Sequence, residues 1–174
     1  MMASFRTLMA FPILLAANPL QGQQPAAGHQ PQEEAAVLET MDRYMAAITA
    51  NDLRVMEQMQ TPDGMTYRAS VDSSGRWSVR SRSNLAWVAP SQDDGRSYRE
   101  RYWRPTVLIR GAIAVVWAPY EFWIDNATNH CGVDVFSFVK LDGTWRVANS
   151  MWTVEPGACT ELRPSNLSII RPKE

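Results

Sequence analysis

The sequence predicts an α+β fold in which N-terminal helices pack on one face of a strongly curved antiparallel sheet, bent enough to wrap into a cone. Three observations carry that prediction. Residues 112–124, 130–141 and 144–154 are long strand-like stretches joined by turns at 125–129 and Asp142-Gly143. An Asp-Gly pair between apolar–polar alternations favours a hairpin, because Gly accepts the positive φ such turns need. Helical periodicity lies ahead of these strands, so helices and sheet are segregated along the chain. The strand 112–124 is also apolar on both faces, and Pro119 inside it implies a bulge or bend.

The elements follow in order. Residues 1–22 read as a signal peptide: Arg6, an apolar run from Leu8 to Ala17, then small residues that allow cleavage after Ala17 or Gly22. That run is too short for a stable membrane span. Export to the periplasm or the medium is the expectation. Residues 23–32 are rich in Gln, Pro and Ala and read as a linker. The folded domain is expected over 33–159.

Within it, 33–50 is an amphipathic helix whose Val37, Leu38, Met41, Met45 and Ile48 form one stripe, with Tyr44 at its edge. Asp52 is a candidate N-cap for a second helix over 53–60. Residues 65–71 and 76–80 form a hairpin across 72–75. Residues 83–89 form a short helix capped by Ser81 or Ser83. Residues 98–104 and 106–110 are strands interrupted by Pro105. The tail 160–174, with Pro164 and Pro172, reads as irregular.

The formal net charge is −1, with 17 basic and 18 acidic residues in 174. That excludes the basic footprint of a nucleic-acid binder. The interleaved run 96–104 reads as an amphipathic strand with Arg stems over apolar surface. Cys131 and Cys159 are the two cysteines. The Asp142-Gly143 hairpin sets the start of one strand beside the end of the next. A disulfide pinning the tail to the sheet is therefore reasonable, two buried thiols being the alternative. No metal-ligand spacing and no phosphate loop is present, and no cofactor is implied.

The segments 111–117, 130–136 and 141–147 resemble the nuclear transport factor 2-like superfamily, whose cone fold ketosteroid isomerase, scytalone dehydratase and polyketide cyclases share. Within it the chain is most similar to exported bacterial proteins labelled lumazine-binding. The resemblance covers about 33–155. It implies a pocket between the first helices and the concave sheet, and frequent homodimers; the two-sided apolar strand 112–124 points to the outer sheet face as the contact. It does not imply an activity.

With Leu141 paired to Thr144, Asp134 and Phe136 share a face with Asn149 and Met151. Asp134 would be desolvated there, which raises a carboxyl pKa and suits a general acid or base. Tyr44 would reach the same mouth from the first helix. Trp87, Trp117, Tyr120, Phe136, Asn149 and Met151 are the candidate ligand contacts. Glu121 replaces Tyr120 beside Asp134 if Pro119 bulges. A ketosteroid isomerase-like reaction would also need a carboxylate base, which the first strand lacks unless Asp63 or Asp72 reaches in. Scytalone dehydratase-like chemistry would need two histidines, and only His130 lies in the domain, beside a turn. Three functions follow: a binder of a small apolar or aromatic ligand, an isomerase- or dehydratase-like enzyme using Asp134 and Tyr44, and a dimeric interaction module. Binding ranks first.

Overall fold

The computed structural model describes residues 31–90 and 94–173. The expected leader and nearly all of the linker lie outside the described residues. The first helix, α1 (Pro31–Thr49), starts two residues before the expected domain boundary. Its Val37, Met41, Tyr44, Met45 and Ala47 are buried, while Glu33 and Glu34 sit in the first turn, where the helix dipole favours them. The next helix, α2 (Leu53–Met59), is capped by Asp52, whose carboxylate accepts from Val55 N at 2.9 Å.

A hairpin of β1 (Met65–Val71) and β2 (Trp77–Ser83) leads into α3 (Asn84–Trp87), with Ser83 as its cap. Five strands follow: β3 (Tyr98–Tyr102), β4 (Thr106–Arg110), β5 (Ile113–Ile124), β6 (Ala127–Leu141) and β7 (Thr144–Val154). The sheet order is β2-β1-β7-β6-β5-β3, with β4 also on β5. All pairs are antiparallel except β1–β7. The helices cover the concave side, where Val116, Phe136, Phe138, Trp145 and Val147 meet α1 and α2 in one core.

Two details of register decide which side chains face inward. The β5–β6 connection is a two-residue turn, Asp125-Asn126, with φ of 51° and 63°, not the five-residue turn expected. β6 therefore begins at Ala127 and places His130 inside the strand. Its one irregularity leaves Asn129 without a partner, between Phe122↔His130 and Trp123↔Thr128. Pro119 itself stays in register with Val133. Its carbonyl accepts Trp103 N at 3.1 Å, so its nitrogen faces the same outer side. There β3 gives way to β4, and no ladder proton is missed.

The second irregularity is a bulge in β7. Phe138 pairs with Val147 and Ser137 with Asn149, leaving Ala148 unpaired. An extra residue in one strand reverses the facing of every later side chain on it. The Ala148 carbonyl accepts Asn84 Nδ2 at 3.1 Å, and a Cβ on Gly64 would lie 1.7 Å from that same oxygen. The turn before β1 and the cap of α3 are thus both tied to the bulge.

The tail carries regular structure where none was expected. A disulfide joins Cys131 to Cys159, with Cα atoms 5.0 Å apart, at the start of α4 (Cys159–Leu162). A 3-10 turn, Leu167–Ile169, follows. Arg171 then bridges Tyr102, both backbone bonds being under 3 Å, and its guanidinium holds Asp42 of α1 at 2.6 Å. Two prolines interrupt helix and strand, but they do not stop a tail from docking through its own backbone groups.

Candidate functional site

A cavity of about 370 Å³ opens between α1, α2, α3 and the concave sheet. That is the size range of small-molecule sites. Tyr44, Trp87, Tyr120, Asp134 and Phe136 all line it. Trp117, Asn149 and Met151 do not. Trp117 is 54% exposed on the convex face, and Met151 is 45% exposed there with it. The two belong to one outer rung, Tyr67–Met151–Val135–Trp117. Asn149 is spent on structure: its Oδ1 accepts Met65 N at 2.9 Å and its Nδ2 donates to Ser137 Oγ. The Ala148 bulge is the cause. Past it, Ser150 and Trp152 take the inward places that an unbroken hairpin would give Asn149 and Met151. Trp152 packs on Trp87 with ring centres 5.2 Å apart.

The chemistry sits at the floor. Glu100 of β3 and Asp134 of β6 flank β5, and their buried carboxyls face each other above it. Burial raises Glu100 to about 7, against the partly opposing hydrogen bond from Asp134. Asp134 is raised further, first by burial and then by the Glu100 charge and hydrogen bond. Two carboxyls in contact away from water resist ionising together, so the pair holds a proton at neutral pH. Among the described residues Asp134 Oδ2 has no hydrogen-bond partner. A buried polar oxygen without a partner is uncommon in a resting fold.

Tyr44, Tyr120 and His130 of the lining are committed. Tyr44, raised by burial, donates to Gln60 Oε1 at 3.0 Å and accepts from Trp87. Gln60 in turn donates to the Asn84 carbonyl at 2.9 Å, so the roof is wired to the bulge. The Tyr120 hydroxyl lies 2.8 Å from His130 Nε2 and 2.7 Å from the Thr153 carbonyl. Burial, aided by Arg68, lowers His130 to about 4, so its ring is neutral at pH 7. Phe122 and Phe136 fill the walls between these groups.

The alternative acids do not reach the cavity. Glu121 faces the tail, where Arg163 Nε donates to its Oε2 at 2.8 Å and Thr128 to its Oε1. Asp72 closes the β1–β2 turn through Ser74 and Arg76, and Asp63 is exposed. Glu121, Cys131 and Cys159 lie close enough to hold a metal, but both sulfurs are in the disulfide. Glu100 is the residue that the sequence reading missed. Its signal was the alternation of Tyr98, Glu100 and Tyr102 on one face, which marks an inward row when Tyr102 is core.

Helices on a curved, unclosed, antiparallel-rich sheet around a cavity define a nuclear transport factor 2-like protein. The chain belongs to the family described as Putative lumazine-binding, whose model matches residues 32–153. Solved structures share the fold. A conserved protein from Planctomyces limnophilus aligns with TM-score 0.60 and 18% identity over 73% of this chain and 99% of its own. A nuclear transport factor 2-like protein from Cytophaga hutchinsonii gives 0.58 and 17% over 70% and 98%. The beta subunit of a putative aromatic-ring-hydroxylating dioxygenase from Novosphingobium aromaticivorans gives 0.59 and 16% over 72% and 90%. At these identities the likeness is one of fold. No curated protein matches the sequence.

Proposed function

We propose that this domain binds a small, flat aromatic molecule whose polar edge meets the Glu100–Asp134 pair. The carrying observation is that pair: a carboxyl dyad with an unpartnered oxygen at the floor of an aromatic cavity. A dyad sharing one proton offers both a donor and an acceptor. A heteroaromatic edge with adjacent N–H and C=O groups, such as that of lumazine, complements it. The family description supports that ligand class. Trp87, Trp152 and Phe136 supply ring contacts worth about 1 kcal/mol each beyond burial. Proton transfer at the same dyad is the enzymatic alternative. Tyr44, the expected second donor, spends its hydroxyl hydrogen bond on Gln60 Oε1, which favours binding.

The test is a titration with lumazine followed by tryptophan emission. Saturable quenching that weakens in Trp152→Leu supports the reading. Quenching unaffected by Trp152→Leu and by Asp134→Asn would place any binding elsewhere.

A second reading rests on the convex face. Tyr67, Met151, Val135 and Trp117 make an apolar rung across four strands, and Ile113 and Leu108 extend it at 60% and 65% exposure. A second copy of this chain covering that face would be the homodimer. Light scattering should then give twice the monomer mass, and Trp117→Glu should return the monomer. The Cys131–Cys159 disulfide supports an oxidising compartment and hence export. The intact mass of the protein recovered from a secreting host checks where residues 1–22 are cleaved.

A further inference from the structure

The rung of side chains that carries Asp134 also carries two arginines. Arg80 of β2 pairs with Arg68 of β1, Arg68 with Trp152 of β7, and Trp152 with Asp134 of β6. Residues directly opposite in a ladder share a face, so the four stand in one row on the concave side. The row runs from the open edge of the sheet to the buried dyad. At its outer end a second hollow of about 550 Å³, walled by Thr66, Arg68, Arg80, Arg82, Trp87 and Trp152, is continuous with the first cavity through four of those residues.

Like charges directly opposite in a ladder repel. Among the described residues neither the Arg68 nor the Arg80 guanidinium takes part in a salt bridge or hydrogen bond, and no carboxylate lines the second hollow. Arg82 leans on the Trp87 ring, 5.4 Å from its centre, which keeps a third guanidinium over the same mouth. The Arg68 charge is felt inside the cavity, at His130 and Tyr120. A cationic mouth, an aromatic passage at Trp87 and Trp152, and a proton-holding floor form one graded channel. Arg68 and Asp134 lie two strands apart, roughly 10 Å at the usual strand spacing. That is the length of a two-ring molecule carrying an acidic group.

We propose that the ligand is an aromatic acid: a flat ring system whose oxyanion is held at the mouth by Arg68 and Arg80 while its rings lie between Trp87 and Trp152. The inference rests on the aromatic-cavity reading above and adds the charge of the ligand to it. Arg forks match the planar or tetrahedral oxygens of such a group and bind them in two-point fashion.

The test uses two fluorescent probes that differ by one charged group, 8-anilinonaphthalene-1-sulfonate and its neutral parent N-phenyl-1-naphthylamine. Both brighten on entering an apolar cavity. The wild-type chain should bind the sulfonate about tenfold more tightly than the neutral probe, the worth of one charged hydrogen bond. That preference should shrink with added salt and vanish in Arg68→Gln/Arg80→Gln. Binding of the neutral probe should stay unchanged in that variant, which also shows that the fold is intact. Arg110→Gln, on β4, serves as the charge control and should change neither. Equal affinity for the two probes, or a sulfonate preference that survives the double variant, overturns the anionic mouth and leaves the aromatic cavity standing. Failure of both probes to bind overturns the cavity reading and this inference together.

Discussion

Glu100 and Asp134, brought from strands on either side of β5, face each other inside a cavity walled in part by aromatic rings. Among the described residues neither is paired with a basic side chain, so the pair is costly to the fold whenever it carries charge. Retention of such a cost at a cavity floor is the pattern of a site for a ligand or a proton.

The dyad makes stability depend on pH in a definite direction. Glu100 ionises at about 4.5 when unfolded and about 7 when folded, so the native state holds protons that the unfolded state releases. Its contribution is fully present below pH 4.5 and is lost as pH rises through 7, on the order of 3 kcal/mol in all. Asp134, raised in the same direction, extends the loss upward. His130, lowered from 6.5 to about 4, acts oppositely: its contribution is present above 6.5 and is lost as pH falls through 4. The two oppose each other between about 4.5 and 6.5, and the dyad acts alone above. Urea unfolding should therefore show stability falling from pH 6.5 to 8.5. In Asp134→Asn, which removes one acid while keeping its shape, that fall should be much smaller.

The disulfide closes a loop spanning a sequence separation of 28 residues. Constraining a loop of that length stabilises the fold by about 3 to 4 kcal/mol in the chain-entropy model. Cys159→Ser should lower the urea midpoint accordingly, and a reducing agent should do the same to the wild type while leaving the variant unaffected.

Gly64 has no room for a side chain, because a Cβ there would lie 1.7 Å from the Ala148 carbonyl. Gly64→Ala must displace either the β1 turn or the bulge. The expected loss is at least about 2 kcal/mol in chemical denaturation. It should come with weakened ligand binding, because the bulge sets the facing of Ser150 and Trp152.

The tail is held to α1 by Arg171 on Asp42, both partly exposed, and to β3 by the two backbone bonds of Arg171 to Tyr102. Deleting residues 171–174 should cost about 1 to 2 kcal/mol, since a screened pair adds little and the backbone bonds most. Asp42→Asn alone should cost less than that deletion, as thermal melts of the two variants would show.

Much of this architecture is legible in the residues. Asp142-Gly143, the helical stripe from Val37 to Ile48 and the Asp52 cap all mark local choices that the fold keeps. The site was harder to read because its facing depends on Ala148, an ordinary strand residue with nothing in it to announce a bulge. The bulge is fixed from outside, by Gly64 and Asn84 reaching its carbonyl, and such tertiary contacts leave no local pattern. One skipped residue put Asn149 and Met151 outward and Trp152 inward. Glu100 was obscured differently: Arg99, Arg101 and Arg104 around it suggest a solvated strand, and only the burial of Tyr98's row by α1 makes it an inward acid.

The central claim is that Glu100 and Asp134 hold a proton at the polar end of a ligand cavity, and carboxyl carbon NMR tests it most directly. Following both side chains from pH 3 to 9, with and without lumazine, should show the first ionisation near 7, the second higher, and both displaced when the ligand is present. Two independent titrations near pH 4, unmoved by lumazine, would contradict the account.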